Sequence, residues 1–87
     1  MLNQAVLVGR LKYVSLNFIE IAVYNKEDIK EYDLVPVVLS EGIAENVNKY
    51  SKADDLIGVK GRLAVKDGRL SVIAEKITFL SSSKGGD

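Results

Sequence analysis

Residues 56–74 read LIGVKGRLAVKDGRLSVIA, two alternating apolar runs that fold back on each other through Asp67-Gly68. An Asp-Gly pair between alternating apolar residues is the strongest short-range hairpin signal, because both central residues of a type I′ turn need positive φ. Counting outward from that turn pairs Lys66 with Arg69, Val65 with Leu70, Ala64 with Ser71, Leu63 with Val72, Arg62 with Ile73 and Lys60 with Glu75. Side chains change face at each step. Val59, Gly61, Leu63, Val65, Leu70, Val72 and Ala74 then share an apolar face, and Lys60, Arg62, Lys66, Arg69 and Glu75 share the other.

Like charges directly opposed on neighbouring strands destabilise a hairpin, and Lys66 against Arg69 is such a pair. Two readings stand: a solvated tip where water screens the repulsion, or a site for a polyanion. Lys60 across from Glu75 reads as an ordinary cross-strand ion pair of little energetic consequence.

Eighty-seven residues make one small domain with a single modest core, which favours self-association into a dimer or tetramer. The chain has no cysteine, so disulfides and cysteine-based metal or redox sites are excluded, and no histidine, the commonest metal ligand and general base. No catalytic residues, metal or cofactor are expected. No apolar run reaches membrane-spanning length, and the start MLNQAVLVGRL lacks a secretory pattern, so a cytoplasmic protein is the expectation. Twelve Lys and Arg balance twelve Asp and Glu. Any nucleic-acid function must therefore rest on local charge, since counterion release depends on the cations that meet phosphates.

Working outward, AVLVGRLKY from Ala5 is a β-branched-rich run in which Gly9 marks a bend or bulge, with Arg10 and Lys12 on one side and Leu11 and Tyr13 on the other. In FIEIAVY, Ile19, Ile21 and Val23 alternate with Phe18, Glu20, Ala22 and Tyr24, the less buried set. NKEDIKE, residues 25–31, reads as a charged loop carrying Lys26 and Lys30. YDLVPVVL places Val35, Val37 and Leu39 inward and Tyr32, Leu34, Pro36 and Val38 outward. Pro36 lacks a ladder donor, which puts it at a sheet edge or bulge. Ile43, Val47 and Tyr50 then recur at helix spacing behind Ser40 as N-cap, with Tyr50 read as a plug of the core. Asp54 and Asp55 end the helix, and the last strand runs on through ITFL to a flexible end, SSSKGGD, at 81–87. The order is three strands, one helix and a two-stranded hairpin. It fits an all-β, five-stranded OB-fold barrel with one α-helix between strands 3 and 4, though periodicity alone also admits an SH3-like barrel or an open sheet.

Asn3, the VLVGRL of residues 6–11, the Val37-Val38-Leu39 run with Ala44-Glu45 behind it, and Gly61 to Leu63 occur in an order that resembles the bacterial single-stranded DNA-binding protein (SSB) family from residue 1 to residue 80. The resemblance implies the OB-fold, a single-stranded nucleic-acid-binding domain over 1–80, homo-oligomers, and a place in DNA replication, recombination or repair. The family carries base-stacking aromatics near Leu34 and Ser40. This chain has neither, and Tyr32 on the same strand face as Leu34 is the substitute. The family's acidic recruiting tail is also missing, so tail-mediated recruitment is not supported and the likeness is to compact variants of phages, plasmids or integrating elements. The expected function is sequence-independent binding of single-stranded DNA, with RNA open as a ligand. Phe18, Tyr24 and Tyr32 are the stacking candidates, and Arg10, Lys12, Lys26, Lys30, Lys60, Arg62, Lys66 and Arg69 the phosphate contacts. The alternative is an OB-fold protein-interaction or scaffold subunit of a replication assembly, which zero net charge and the missing aromatics favour.

Overall fold

Five strands and one helix make up the computed structural model, which describes residues 3–24, 27 and 30–81. They are β1 (Ala5–Val14), β2 (Phe18–Tyr24), β3 (Tyr32–Val38), α1 (Glu41–Tyr50), β4 (Leu56–Lys66) and β5 (Arg69–Ser81). The strands close into a barrel in the order β1-β2-β3-β5-β4, the OB arrangement. Most neighbours run antiparallel; β3 and β5 close the barrel in parallel through Val37 opposite Val72 and Val38 opposite Ile73. Lys26 and the chain end 82–87 lie outside the described residues, as does most of the 25–31 loop.

The inward half of each alternation builds the core. Leu11, Ile19, Ile21, Val37, Ile57 and Val59 are fully or almost fully buried, and each such side chain contributes about 1.5–3 kcal/mol through apolar surface removed from water. α1 caps this cluster with Ala44 and Val47. Tyr50 does not plug it, for it stands 62% exposed at the last helical position, beyond the face that packs. Ser40 is the N-cap by backbone position and accepts from the Ala44 N–H through its carbonyl, without a side-chain cap bond.

Asp67 and Gly68 adopt φ 53° and 76°, as a type I′ turn requires, and the register holds from Lys66 opposite Arg69 down to Arg62 opposite Ile73. It then shifts. Gly61 pairs with Ala74 but Lys60 pairs with Lys76, so Glu75 is an extra residue in a bulge and the expected Lys60–Glu75 pair is replaced by two opposed cations. A Cβ on Gly61 would lie 2.0 Å from the Ile73 carbonyl oxygen, so the strands meet here too closely for any side chain.

Gly9 has the same role in β1 rather than being the bulge itself. Its Cβ would sit 2.3 Å from the Ala22 oxygen, at the point where β1 passes from β4 to β2. That close approach also buries Ala22, although it belongs to the outward set of β2. The bulge of β1 falls at Lys12, where the pairing steps from Leu11–Ile21 to Tyr13–Glu20. Tyr13 is thereby turned outward, against the simple alternation.

β1 pairs with β4 only as far as Ala5 opposite Gly61. β5 stays paired with β3 up to Val72, the residue facing Leu63; past that rung the hairpin projects as a two-stranded arm whose apolar face is open, with Leu63 42%, Val65 70% and Leu70 62% exposed. The buried part of the apolar face is confined to Val59, Gly61, Val72 and Ala74, because the barrel wall ends there.

Gly61→Ala should lower the thermal midpoint by about 8 °C or more, taking about 2 kcal/mol for a forced backbone shift and about 4–8 °C per kcal/mol for a domain of this size. Gly42→Ala, in the first turn of α1 with nothing within 4 Å of its added Cβ, should raise it slightly, by about 0.5 kcal/mol of helix propensity. Thermal denaturation of the two variants side by side checks both signs.

Candidate nucleic-acid interface

Residues paired across antiparallel strands share a face, so the registers lay out the outer surface of β1, β2 and β3. Tyr24 is opposite Tyr32; Ala22 is opposite Leu34 on one side and Arg10 on the other; Glu20 lies between Pro36 and Tyr13; Phe18 is opposite Val38. This surface carries two ring pairs. Tyr24 and Tyr32 meet edge to face with centroids 5.3 Å apart, and Tyr13 and Phe18 meet at 5.5 Å, tilted by 42°. Tyr24 and Phe18 are six residues apart on β2, so the pairs stand roughly 20 Å from each other at the strand rise. Tyr24 and Tyr32 are each close to half exposed, which leaves ring surface open to a ligand.

Positive charge gathers at the tyrosine end. The turn after α1 docks on β1 by two backbone bonds, from the Leu11 N–H to the Asp55 carbonyl (2.9 Å) and from the Asp54 N–H to the Leu11 carbonyl (2.6 Å). Asp55 is buried and its Oδ2 accepts from the Lys52 N–H at 2.7 Å, which tightens the turn. Asp54, held at φ 70°, then faces both cations of β1. Its Oδ1 is 2.6 Å from Lys12 Nζ, and its carbonyl accepts from Arg10 Nη1 at 3.2 Å. Arg10 and Tyr24 line one shallow depression with Val8, Gly9 and Leu56.

Of the residues singled out in the sequence, Arg10, Lys12, Tyr24 and Tyr32 thus come together at one end of the face, and Phe18 lies at the other. Lys30 is exposed beside Tyr32 in the turn that leads into β3, where Glu31 and Asp33 line the same hollow. Lys66 and Arg69 crown the arm above a cleft that Pro36, Leu70 and Ser71 also line. Arg62 is exposed at the arm's root, and Lys60 lies on the β4–β5 wall opposite Lys76, away from the rings. Sequence reasoning missed Tyr13, whose outward position depends on the Lys12 bulge, and Lys76, which the Glu75 bulge brings opposite Lys60. Neither bulge has a compositional mark.

The hydrogen bond to Asp54 holds the Lys12 ammonium charged to higher pH than an ordinary lysine, with the Asp54 charge adding to the effect against some desolvation. A raised folded-state pKa means the contribution is complete below the ordinary lysine range and is lost only as pH climbs through the raised value. The pair therefore persists unchanged through neutral and mildly alkaline pH. Side-chain NMR titration should show Lys12 deprotonating at higher pH than in Asp54→Asn, which keeps the left-handed backbone position and removes the charge.

No family model matches the chain. The single-stranded DNA-binding protein 1 of Staphylococcus aureus strain Mu50 is 33% identical over an alignment 110 positions long, which spans all of this chain and 70% of that protein. The mitochondrial single-stranded DNA-binding protein Rim1 of S. cerevisiae superposes with a TM-score of 0.80 at 17% identity, over 95% of this chain and 99% of that one. The N-terminal domain of PriB from Thermoanaerobacter tencongensis superposes with a TM-score of 0.73 at 18% identity, over 92% and 98%. The two superpositions establish the OB-fold. With a third of its aligned residues identical along its whole length, the chain belongs to the single-stranded DNA-binding protein family, a family of binding proteins rather than enzymes.

Proposed function

We propose that this protein binds single-stranded DNA without regard to base sequence, laying unpaired bases on the rings of the β1–β2–β3 face and phosphates on the neighbouring cations. The observation that carries this reading is the half-exposed Tyr24–Tyr32 pair with Arg10 and Lys12 beside it. A base has an apolar face that any exposed ring can cover, whatever its hydrogen-bonding edge, so stacking gives affinity without sequence preference. Phosphates are drawn by cations already held in place, and Arg10 and Lys12 are ordered by Asp54 before any ligand arrives. Tyr13 and Phe18 extend the platform, and Tyr32 replaces the ring that relatives carry near Leu34. Replication, recombination or repair of DNA is where such a protein acts. The S. aureus relative is named for this activity, and the identity along the whole chain supports the transfer.

Self-association is part of the same reading. Val6 and Val8 stand exposed on the outer side of β1, and the PriB domain of like fold is a dimer. Sedimentation at micromolar concentration should give a dimer or tetramer; a clean monomer contradicts it.

Fluorescence anisotropy with oligo-dT, oligo-U and duplex of equal length, at two salt concentrations, tests the binding. Oligo-dT should bind more tightly than duplex and lose affinity with salt. Tyr24→Ala should weaken oligo-dT by about 1–3 kcal/mol, or roughly 5- to 150-fold. Equal affinity for duplex, or no binding at low salt, favours the scaffold role instead.

The double change Lys66→Ser, Arg69→Thr should leave the thermal midpoint unchanged or slightly raised, since it removes two opposed cations and keeps the Asp67-Gly68 turn. Oligo-dT affinity should fall, and the slope of log affinity against log salt should flatten by about 1.4, at about 0.7 per phosphate contact on a single strand.

A further inference from the structure

On its β1 side, the arm that carries Lys66 and Arg69 is secured at its root by one side chain. β1 and β4 pair through Ala5 opposite Gly61, and continuing that register by two residues sets Asn3 opposite Leu63. There the rung is made by the Asn3 amide. Its Oδ1 accepts from the Leu63 N–H at 2.9 Å, and its Nδ2 donates to the Leu63 carbonyl at 2.8 Å. A carboxamide has the same donor and acceptor as a backbone peptide unit, so Asn3 extends the ladder one step past the last strand pair.

On the other side the grip is the β3 backbone, and it stops at the same rung: Val37 pairs with Val72, the residue that faces Leu63. Pro36, one residue before, has no N–H with which to carry the ladder toward Ser71, and the cleft between β3 and the arm opens there. A two-stranded ribbon with its apolar face open is marginally stable by itself, so its direction depends on what grips its root. Among the described residues, the side-chain bonds that reach the arm are those of Asn3.

We propose that Asn3 is a positioning residue for DNA binding: its amide fixes the arm at Leu63 and thereby sets where Lys66 and Arg69 meet phosphate. This role rests on the single-stranded DNA reading above. Asn3 touches no ligand in it and acts through the two tip cations.

A double-mutant cycle separates the possibilities. Asn3→Ala should weaken oligo-dT binding about fivefold and flatten the salt slope in the otherwise unchanged protein. In the Lys66→Ser, Arg69→Thr background it should change neither. Asn3→Asp keeps the acceptor but turns a carboxylate toward the Leu63 carbonyl, and should behave like Asn3→Ala. Amide hydrogen exchange without DNA should show the Leu63 and Val65 amides losing protection in both variants, with the thermal midpoint moving by only a few degrees. An equal loss of affinity in both backgrounds, or an unchanged affinity and slope in Asn3→Ala, overturns the role. Unchanged exchange along the arm in Asn3→Ala overturns the clamp itself. Failure of the unsubstituted protein to bind oligo-dT instead overturns the DNA-binding reading on which the role depends.

Discussion

Barrel closure depends on two places where backbones come together with no room for a side chain. At Gly9 the chain leaves β4 for β2 within one residue, and at Gly61 it presses against the Ile73 carbonyl as β4 begins to leave the wall. A strand with two neighbours must bend sharply to serve both, and bending brings main chains into contact. The bulges at Lys12 and Glu75 lie three positions from Gly9 in the same strand and two from Ile73 in the strand facing Gly61, and absorb the mismatch in strand length that the curvature creates. Each bulge inverts the face of the residues beyond it. One turns Tyr13 outward beside Phe18, and the other sets Lys76 across from Lys60.

Charge of both signs lies on the candidate face of this chain of zero net charge. Glu41 and Glu45 stand on the helix and Asp55 is buried in a turn, but Glu20 lies among the rings, Glu31 and Asp33 line the hollow with Lys30 and Tyr32, and Asp67 sits between Lys66 and Arg69. Asp54 is different. It engages both β1 cations beside the tyrosine pair and so orders them while offsetting part of their charge. Under the proposed reading, stacking on the rings supplies most of the binding free energy and the cations mainly position the backbone of the ligand.

The projecting hairpin adds a second element of a different kind. Its turn is rigidly specified, but its apolar face is bare and its root is held at a single rung, by the Asn3 amide at Leu63 and by the Val37 backbone at Val72. Opposed cations at its tip are tolerated because solvent surrounds them, and the same exposure leaves them available to a ligand.

Much of this was legible in the residues themselves. The Asp67-Gly68 turn demands positive φ at two positions, and that demand alone determined the hairpin register for five further residue pairs. Alternation marked Ile19, Ile21, Val37, Val59 and Val72 for the interior, because a one-residue slip would turn every one of them to solvent. The element order and the family motifs then pointed to the OB barrel, and residue type with strand position was enough to single out Tyr24, Tyr32, Arg10 and Lys12. What only the tertiary structure decided is where alternation breaks. A bulge answers the curvature of a closed sheet, a property of all five strands together, so neither Lys12 nor Glu75 carries a local sign of it. The same holds for Tyr50, Leu63, Val65 and Leu70. Their apolar pattern matches that of buried neighbours; Tyr50 is exposed because the helix ends beyond its packing face, and the three hairpin residues because the barrel wall ends before it reaches them.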